Sequence, residues 1–170
     1  IKARNPKANM VVTPSDHIVL DVREFQRVIT SSLKFTNNSD AILTLGMTPT
    51  RPETGYGYIE ADLSYPSNYN KEIYRVDSFK EKPELATAER YIKKSSFFWN
   101  AGIFVWNVNT VVNSLRVYQP AISKIFERLL PYYYTEQEQV LINEQFPLCE
   151  SISIDYAIME KADEIFVFPA

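Results

Sequence analysis

Five short stretches of the sequence hold the residue types that could do chemistry. Thr13-Pro14-Ser15-Asp16-His17 follows the apolar run Asn9 to Thr13, so a carboxylate stands just past what reads as a buried strand. In open α/β sheets ligands bind beyond the carboxyl ends of strands, and Asp16 there suits a hard cation such as Mg²⁺. The same position suits a turn aspartate that accepts backbone N–H groups. In Phe79-Lys80-Glu81-Lys82-Pro83, strand alternation sends Glu81 and Lys82 to opposite faces until the proline stop twists them toward one cleft. Glutamate suits sugar hydroxyls and lysine suits a phosphate, whereas a solvated charge cluster explains the same residues. Trp99-Asn100-Ala101-Gly102 leads into an apolar strand with a side chain that both donates and accepts, fit to read a hydroxyl or to close a turn. In Ser151-Ile152-Ser153-Ile154-Asp155-Tyr156-Ala157, Ser153 as N-cap would put Asp155 in the first helical turn. The helix dipole favours an ionised carboxylate there, ready for a metal or simply complementing the dipole.

The fifth stretch, Thr54-Gly55-Tyr56-Gly57-Tyr58-Ile59, matters because glycine is scarce. The chain has only Gly46, Gly55, Gly57 and Gly102, too few for a glycine-rich phosphate loop. Glu60 also stands where a dinucleotide fingerprint needs its third glycine. Two glycines one residue apart point to close backbone approach, by a ligand or within a bulge. His17 and Cys149 are the single histidine and cysteine. They exclude an intrachain disulfide and a zinc site built mainly from those residue types, and no nucleophile–histidine triad is expected.

The elements that must position these residues alternate. Asn9 to Thr13 and Ala41 to Leu45 read as buried strands, with a helix between them begun by Asp21 and Glu24 as a variant capping box. Phe25, Val28, Ile29 and Leu33 give that helix its apolar face. Tyr56 to Tyr65 and Glu72 to Lys82 predict longer strands joined through Pro66, Ser67 and Asn68. Pro83 opens a helix with Leu85, Ala88 and Ile92 on one face. A strand Gly102 to Trp106, a helix Val108 to Tyr118 and an amphipathic helix through Ile122, Ile125, Phe126, Leu129 and Leu130 follow. Helical structure resumes over Glu136 to Glu144, Ser153 caps a short helix through Lys161, and Ile165 to Phe168 closes with a strand. This alternation predicts an α/β sandwich with a mostly parallel sheet and an antiparallel excursion at the central strand pair.

The bulk numbers agree with one globular domain. The 170 residues are 45% hydrophobic and 23% charged, with 18 basic against 21 acidic side chains for a net charge of −3. With a pI near 5.3 no nucleic-acid partner is expected. No apolar run reaches the ~18 residues of a membrane span, and Ile1-Lys2-Ala3-Arg4-Asn5-Pro6 lacks the apolar core of a signal peptide. Neither a membrane partner nor a location other than the cytoplasm is expected.

In order and spacing, Pro-Ser-Asp-His at 14–17, Gly-Tyr-Gly-Tyr-Ile at 55–59, Phe-Lys-Glu-Lys-Pro at 79–83, Trp-Asn-Ala-Gly-Ile-Phe at 99–104 and Ser-Ile-Asp-Tyr-Ala-Ile-Met-Glu-Lys at 153–161 resemble the sugar-1-phosphate nucleotidylyltransferases. The wording of the first and last motifs is most similar to members that act on mannose 1-phosphate. The resemblance implies a Rossmann-like three-layer α/β/α sandwich with a mixed, mostly parallel sheet, incomplete in this chain. It implies that mannose 1-phosphate attacks the α-phosphate of GTP, giving GDP-mannose and pyrophosphate. Mg²⁺ would be held by Asp16 and Asp155. Lys82 would contact the sugar phosphate, and Glu81, Asn100 and the Gly57 backbone the sugar. Other expectations stay open: a different sugar 1-phosphate such as glucose 1-phosphate, or a non-catalytic sugar-nucleotide-binding module of the same fold. The family's glycine-rich loop with its catalytic arginine lies upstream of Ile1, and the family continues past Ala170. Residues 1–170 are therefore expected to be the central and C-terminal portion of a catalytic domain, inactive alone; the oligomeric state is left open, with faces such as Val108–Tyr118 able to pair in a homo-oligomer.

Overall fold

The computed structural model describes residues 1–170. The elements run β1 (Asn9–Val12), α1 (Val22–Asn37), β2 (Ile42–Met47), β3 (Gly57–Pro66), β4 (Tyr74–Glu81), α2 (Leu85–Tyr91), β5 (Phe97–Asn107), α3 (Val108–Tyr118), α4 (Pro120–Arg128), α5 (Glu138–Gln145) and β6 (Ile165–Pro169). A single π-helical turn, Asp155–Met159, precedes β6.

Helix α1 begins where its sequence can cap it. The Asp21 carboxylate accepts the Glu24 N–H at 2.9 Å, satisfying one free donor of the first turn. The capping box stays half made, because the Glu24 carboxylate turns to Arg27 at 2.8 Å. Arg27 also reaches Glu72, just before β4, at 2.7 Å. Val28 and Phe35, seven residues apart, bury one stripe of α1 against the sheet.

The six strands form one mixed sheet in the order β1-β5-β2-β6-β4-β3, with β3 also pairing to the start of β5. The expected mostly parallel sheet needs correcting. Only β2 and β6 pair in parallel, and β1–β5, β2–β5, β3–β4, β3–β5 and β4–β6 are antiparallel. The cause is insertion. β1, β2, β3 and β6 do run the same way, but β5 lies between β1 and β2, and β4 between β6 and β3. Strand–helix alternation fixes neither which strands are neighbours nor, as the helix-linked but opposed β5 and β6 show, which way they run.

Strand alternation splits the core into two layers. Leu43, Leu45, Ile103, Val105 and Phe168 face α1. Ile42, Phe104, Trp106, Ile165 and Val167 face the other way, onto Ala157, Ile158 and Met159 of the π-turn and onto Val111 and Leu115 of α3. Helices thus cover both faces of the sheet, and the sandwich has its three layers. The apolar face of α3 expected to be free for a second copy is covered within the chain by this core and by α4. No helix is long and apolar enough to cross a membrane.

Candidate functional site

The site is built around an irregularity in β5. Thr44 of β2 pairs with Phe104, and two residues on, Gly46 pairs with Asn100. Two steps of β2 thus span four of β5, so β5 carries two extra residues and bulges. Gly102 takes φ +66° inside the bulge, a left-handed conformation that suits glycine. Asn100 therefore lies within a long strand rather than at its entry, as the sequence suggested. Its Oδ1 accepts the Gly102 N–H at 3.1 Å, and its Nδ2 donates to Asp155 Oδ1 at 3.0 Å.

Gly57 and Glu81 face each other across β3 and β4. A Cβ on Gly57 would come within 2.5 Å of Glu81 Oε2 and 3.3 Å of the Asn100 Cβ. The close approach that the two spaced glycines signalled is made by a carboxylate of the chain itself. The Glu81 side chain is only 9% exposed, and its N–H donates to Glu160 Oε1 at 3.3 Å. Lys82 then leaves the strand at φ 46°, another left-handed conformation, with its N–H on the Tyr56 carbonyl at 3.2 Å. That reversal cancels strand alternation and folds the Lys82 ammonium back to 3.2 Å from Glu81 Oε1.

Asp155 opens the π-turn, a wider turn than the α-helix makes and of a kind frequent at functional sites. Ser153 is not its N-cap, as expected; Ile154 holds that place, and the Ser153 hydroxyl takes the Tyr156 N–H only at 3.5 Å. Burial raises the Asp155 pKa above the ordinary aspartate value, and the nearby Glu81 charge adds to it, against the Asn100 hydrogen bond and Lys82. The hydrogen bond to Glu81 raises the Lys82 pKa in turn.

Asp16, Gly57, Glu81, Asn100 and Asp155 line one cavity of about 870 Å³. Five separate parts of the chain supply them: the segment after β1, β3, β4, β5 and the π-turn. Lys82 stands beside the lining through its pair with Glu81. Ile18, Val19 and Leu20 line the cavity with apolar side chains, as do Leu45, Met47 and Ile103. Tyr56 meets Trp99 edge-on at 5.3 Å, and the Arg51 guanidinium lies 5.4 Å from the Trp99 ring. No three His, Cys, Asp or Glu side chains converge to hold a metal by themselves. Sequence reasoning missed Thr44, whose hydroxyl lies 3.0 Å from Asn100 Oδ1. The signal was a lone polar residue within the apolar run Ala41 to Leu45.

The sandwich brings its acidic and amide side chains to one cavity, and residues 1–144 match the nucleotidyl transferase family. The chain belongs to that family. Across 98% of its length it is 34% identical to a mannose-1-phosphate guanylyltransferase of Escherichia coli, covering 36% of that protein. It is 34% identical over 94% of its length to the xanthan biosynthesis protein XanB of Xanthomonas campestris, covering 33% of it. Among solved structures it aligns over 99% of its length, at TM-score 0.81 and 33% identity, with 46% of a Thermus thermophilus protein described as mannose-1-phosphate geranyltransferase. A Helicobacter pylori mannose-6-phosphate isomerase aligns at TM-score 0.75 and 25% identity, over 95% of this chain and 61% of that one. The chain spans about a third of the length of these sequence relatives.

Proposed function

We propose that the cavity is the sugar- and metal-facing part of a site that transfers a guanylyl group from GTP to mannose 1-phosphate, releasing GDP-mannose and pyrophosphate. One observation carries the reading: Asp16, Gly57, Glu81, Asn100 and Asp155, far apart in sequence, line a single cavity. The names of the E. coli and T. thermophilus relatives support mannose 1-phosphate as the sugar.

The chemistry suits these groups. A phosphate oxygen of the sugar phosphate attacks the α-phosphorus of GTP, a new P–O bond forms, and the bond to the departing pyrophosphate breaks. The attacking oxygen is already ionised near neutral pH, so no general base is needed and the scarcity of histidine is no obstacle. The obstacle is repulsion between two polyanions, which positioning and fixed positive charge reduce. Lys82, exposed and held beside the cavity by Glu81, brings that charge to the sugar phosphate. Glu81 and the Asn100 amide offer acceptors and a donor to sugar hydroxyls, and Gly57 leaves them room.

The residues also fit a divalent cation. Asp155 is a partly buried carboxylate near a second one, Glu81, offset by a backbone hydrogen bond, Asn100 and Lys82. Mg²⁺ is commonly held by one or two carboxylates together with waters and substrate phosphates, so a site without three protein ligands is suitable. Asp16 and Asp155 would hold it, and when bound it would neutralise phosphate charge.

The test is pyrophosphate release by the full-length parent protein with GTP and Mg²⁺, comparing mannose 1-phosphate with glucose 1-phosphate. Turnover with mannose 1-phosphate, lost in Asp155→Asn, is the expected result. A preference for glucose 1-phosphate would keep the family chemistry and replace the sugar. No turnover by a folded protein with any sugar phosphate would leave a non-catalytic module.

A further inference from the structure

We propose that Thr44 is a positioning residue, whose buried hydroxyl fixes the Asn100 amide and so the face that the cavity presents to the sugar. The inference rests on the sugar-phosphate reading above and adds a residue to it. Thr44 is completely buried in the middle of β2, between Leu43 and Leu45. A valine would fill nearly the same volume with similar strand preference, so packing alone does not call for a hydroxyl there. A buried hydroxyl is costly unless bonded, and this one has partners. It lies 3.0 Å from Asn100 Oδ1 and 3.1 Å from the Ile103 carbonyl. Both acceptors belong to the β5 bulge, where two extra residues interrupt the ladder with β2.

The arrangement leaves the Asn100 amide one good orientation. Its oxygen faces the Gly102 N–H and the Thr44 hydroxyl, whose single hydrogen is shared with the Ile103 carbonyl. Its NH₂ group therefore points to Asp155 Oδ1 and the cavity. A flipped amide would set oxygen against the Asp155 carboxylate and NH₂ against the Gly102 N–H. Thr44 never touches the cavity, and it acts through Asn100.

The experiment uses the full-length protein and the binding of GDP-mannose by titration calorimetry, which needs no turnover. Thr44→Val should weaken binding about tenfold, the effect of losing one hydrogen bond's worth of orientation. Thr44→Ser restores the hydroxyl and should bind within about twofold of wild type, a few tenths of a kcal/mol. In an Asn100→Ala background Thr44→Val should cost almost nothing further, because the residue it acts through is gone. Thr36→Val removes another buried hydroxyl, bonded to Asn9 and to the α1 backbone. It should lower the melting temperature without changing affinity. If Thr44→Val melts lower but binds as wild type does, Thr44 only supports the bulge and the proposal fails. It fails equally if the loss persists in full without Asn100. Should the valine variant not fold, Thr44→Ala gives the same comparison. A wild-type protein that does not bind GDP-mannose would overturn the functional reading itself, and this inference with it.

Discussion

Asp155 is where stability and proposed function pull apart. Its carboxylate is desolvated beside Glu81, so the folded chain holds the Asp155 proton more tightly than the unfolded chain does. The resulting stability is present below the ordinary aspartate pKa of about 3.9 and is lost as pH rises through the higher folded value. In chelator, Asp155→Asn should therefore melt above wild type at neutral pH, and the difference should close as the pH falls through the aspartate range. Calorimetry across that range checks this, and a variant that melts lower at neutral pH would contradict the assigned cause. Gly57→Ala belongs to the same scale. Its methyl group has to displace the Glu81 carboxylate, so sugar-nucleotide binding should fall at least tenfold, as expected when a fixed acceptor is moved. These two positions were legible as residue types. That Gly57 makes room for Glu81 was not, because the pairing needs the β3–β4 register.

Elements whose signals are local read well. Asp21 caps α1 as its spacing to Glu24 suggested, and helix α3 spans Val108–Tyr118, ending ahead of Pro120 as expected. Asp21→Ala should cost about 1 kcal/mol of stability by chemical denaturation, the usual value for a lost N-cap. The π-turn departs from the helix expected after Ser153: its N-cap is Ile154, with no side-chain cap, and Ile158 and Met159 are buried in the core. Ile158→Ala should cost about 2–5 kcal/mol and should also weaken ligand binding, because the same turn aims Asp155. Stability loss with unchanged binding would separate the two roles.

Across the whole molecule, the order of strands was the part sequence could not supply. Periodicity reports which face of a strand is buried, and β5 and β1 look alike by that measure although they run in opposite directions. The cavity shows the same limit: its polar floor was readable as motifs, but its apolar wall was not. Ile18 and Leu20 are 86% and 91% exposed, and none of the hydrogen bonds outside the helices and strands involves residues 13–20. Such a segment opens at little cost. Chymotrypsin should cut the native full-length protein early at Leu20, and GDP-mannose should slow that cut. Unchanged cleavage with ligand bound would place the ligand away from this wall.

The bulge in β5 has a consequence for how such sites arise. Its two extra residues match the period of a strand, so Phe98, before it, and Phe104 and Trp106, after it, still face the same core layer. A single extra residue is absorbed in a similar way, when two neighbours on one strand oppose one residue of the other. Bulges therefore let a strand gain length beside a pocket while the residues on either side keep their places in the core.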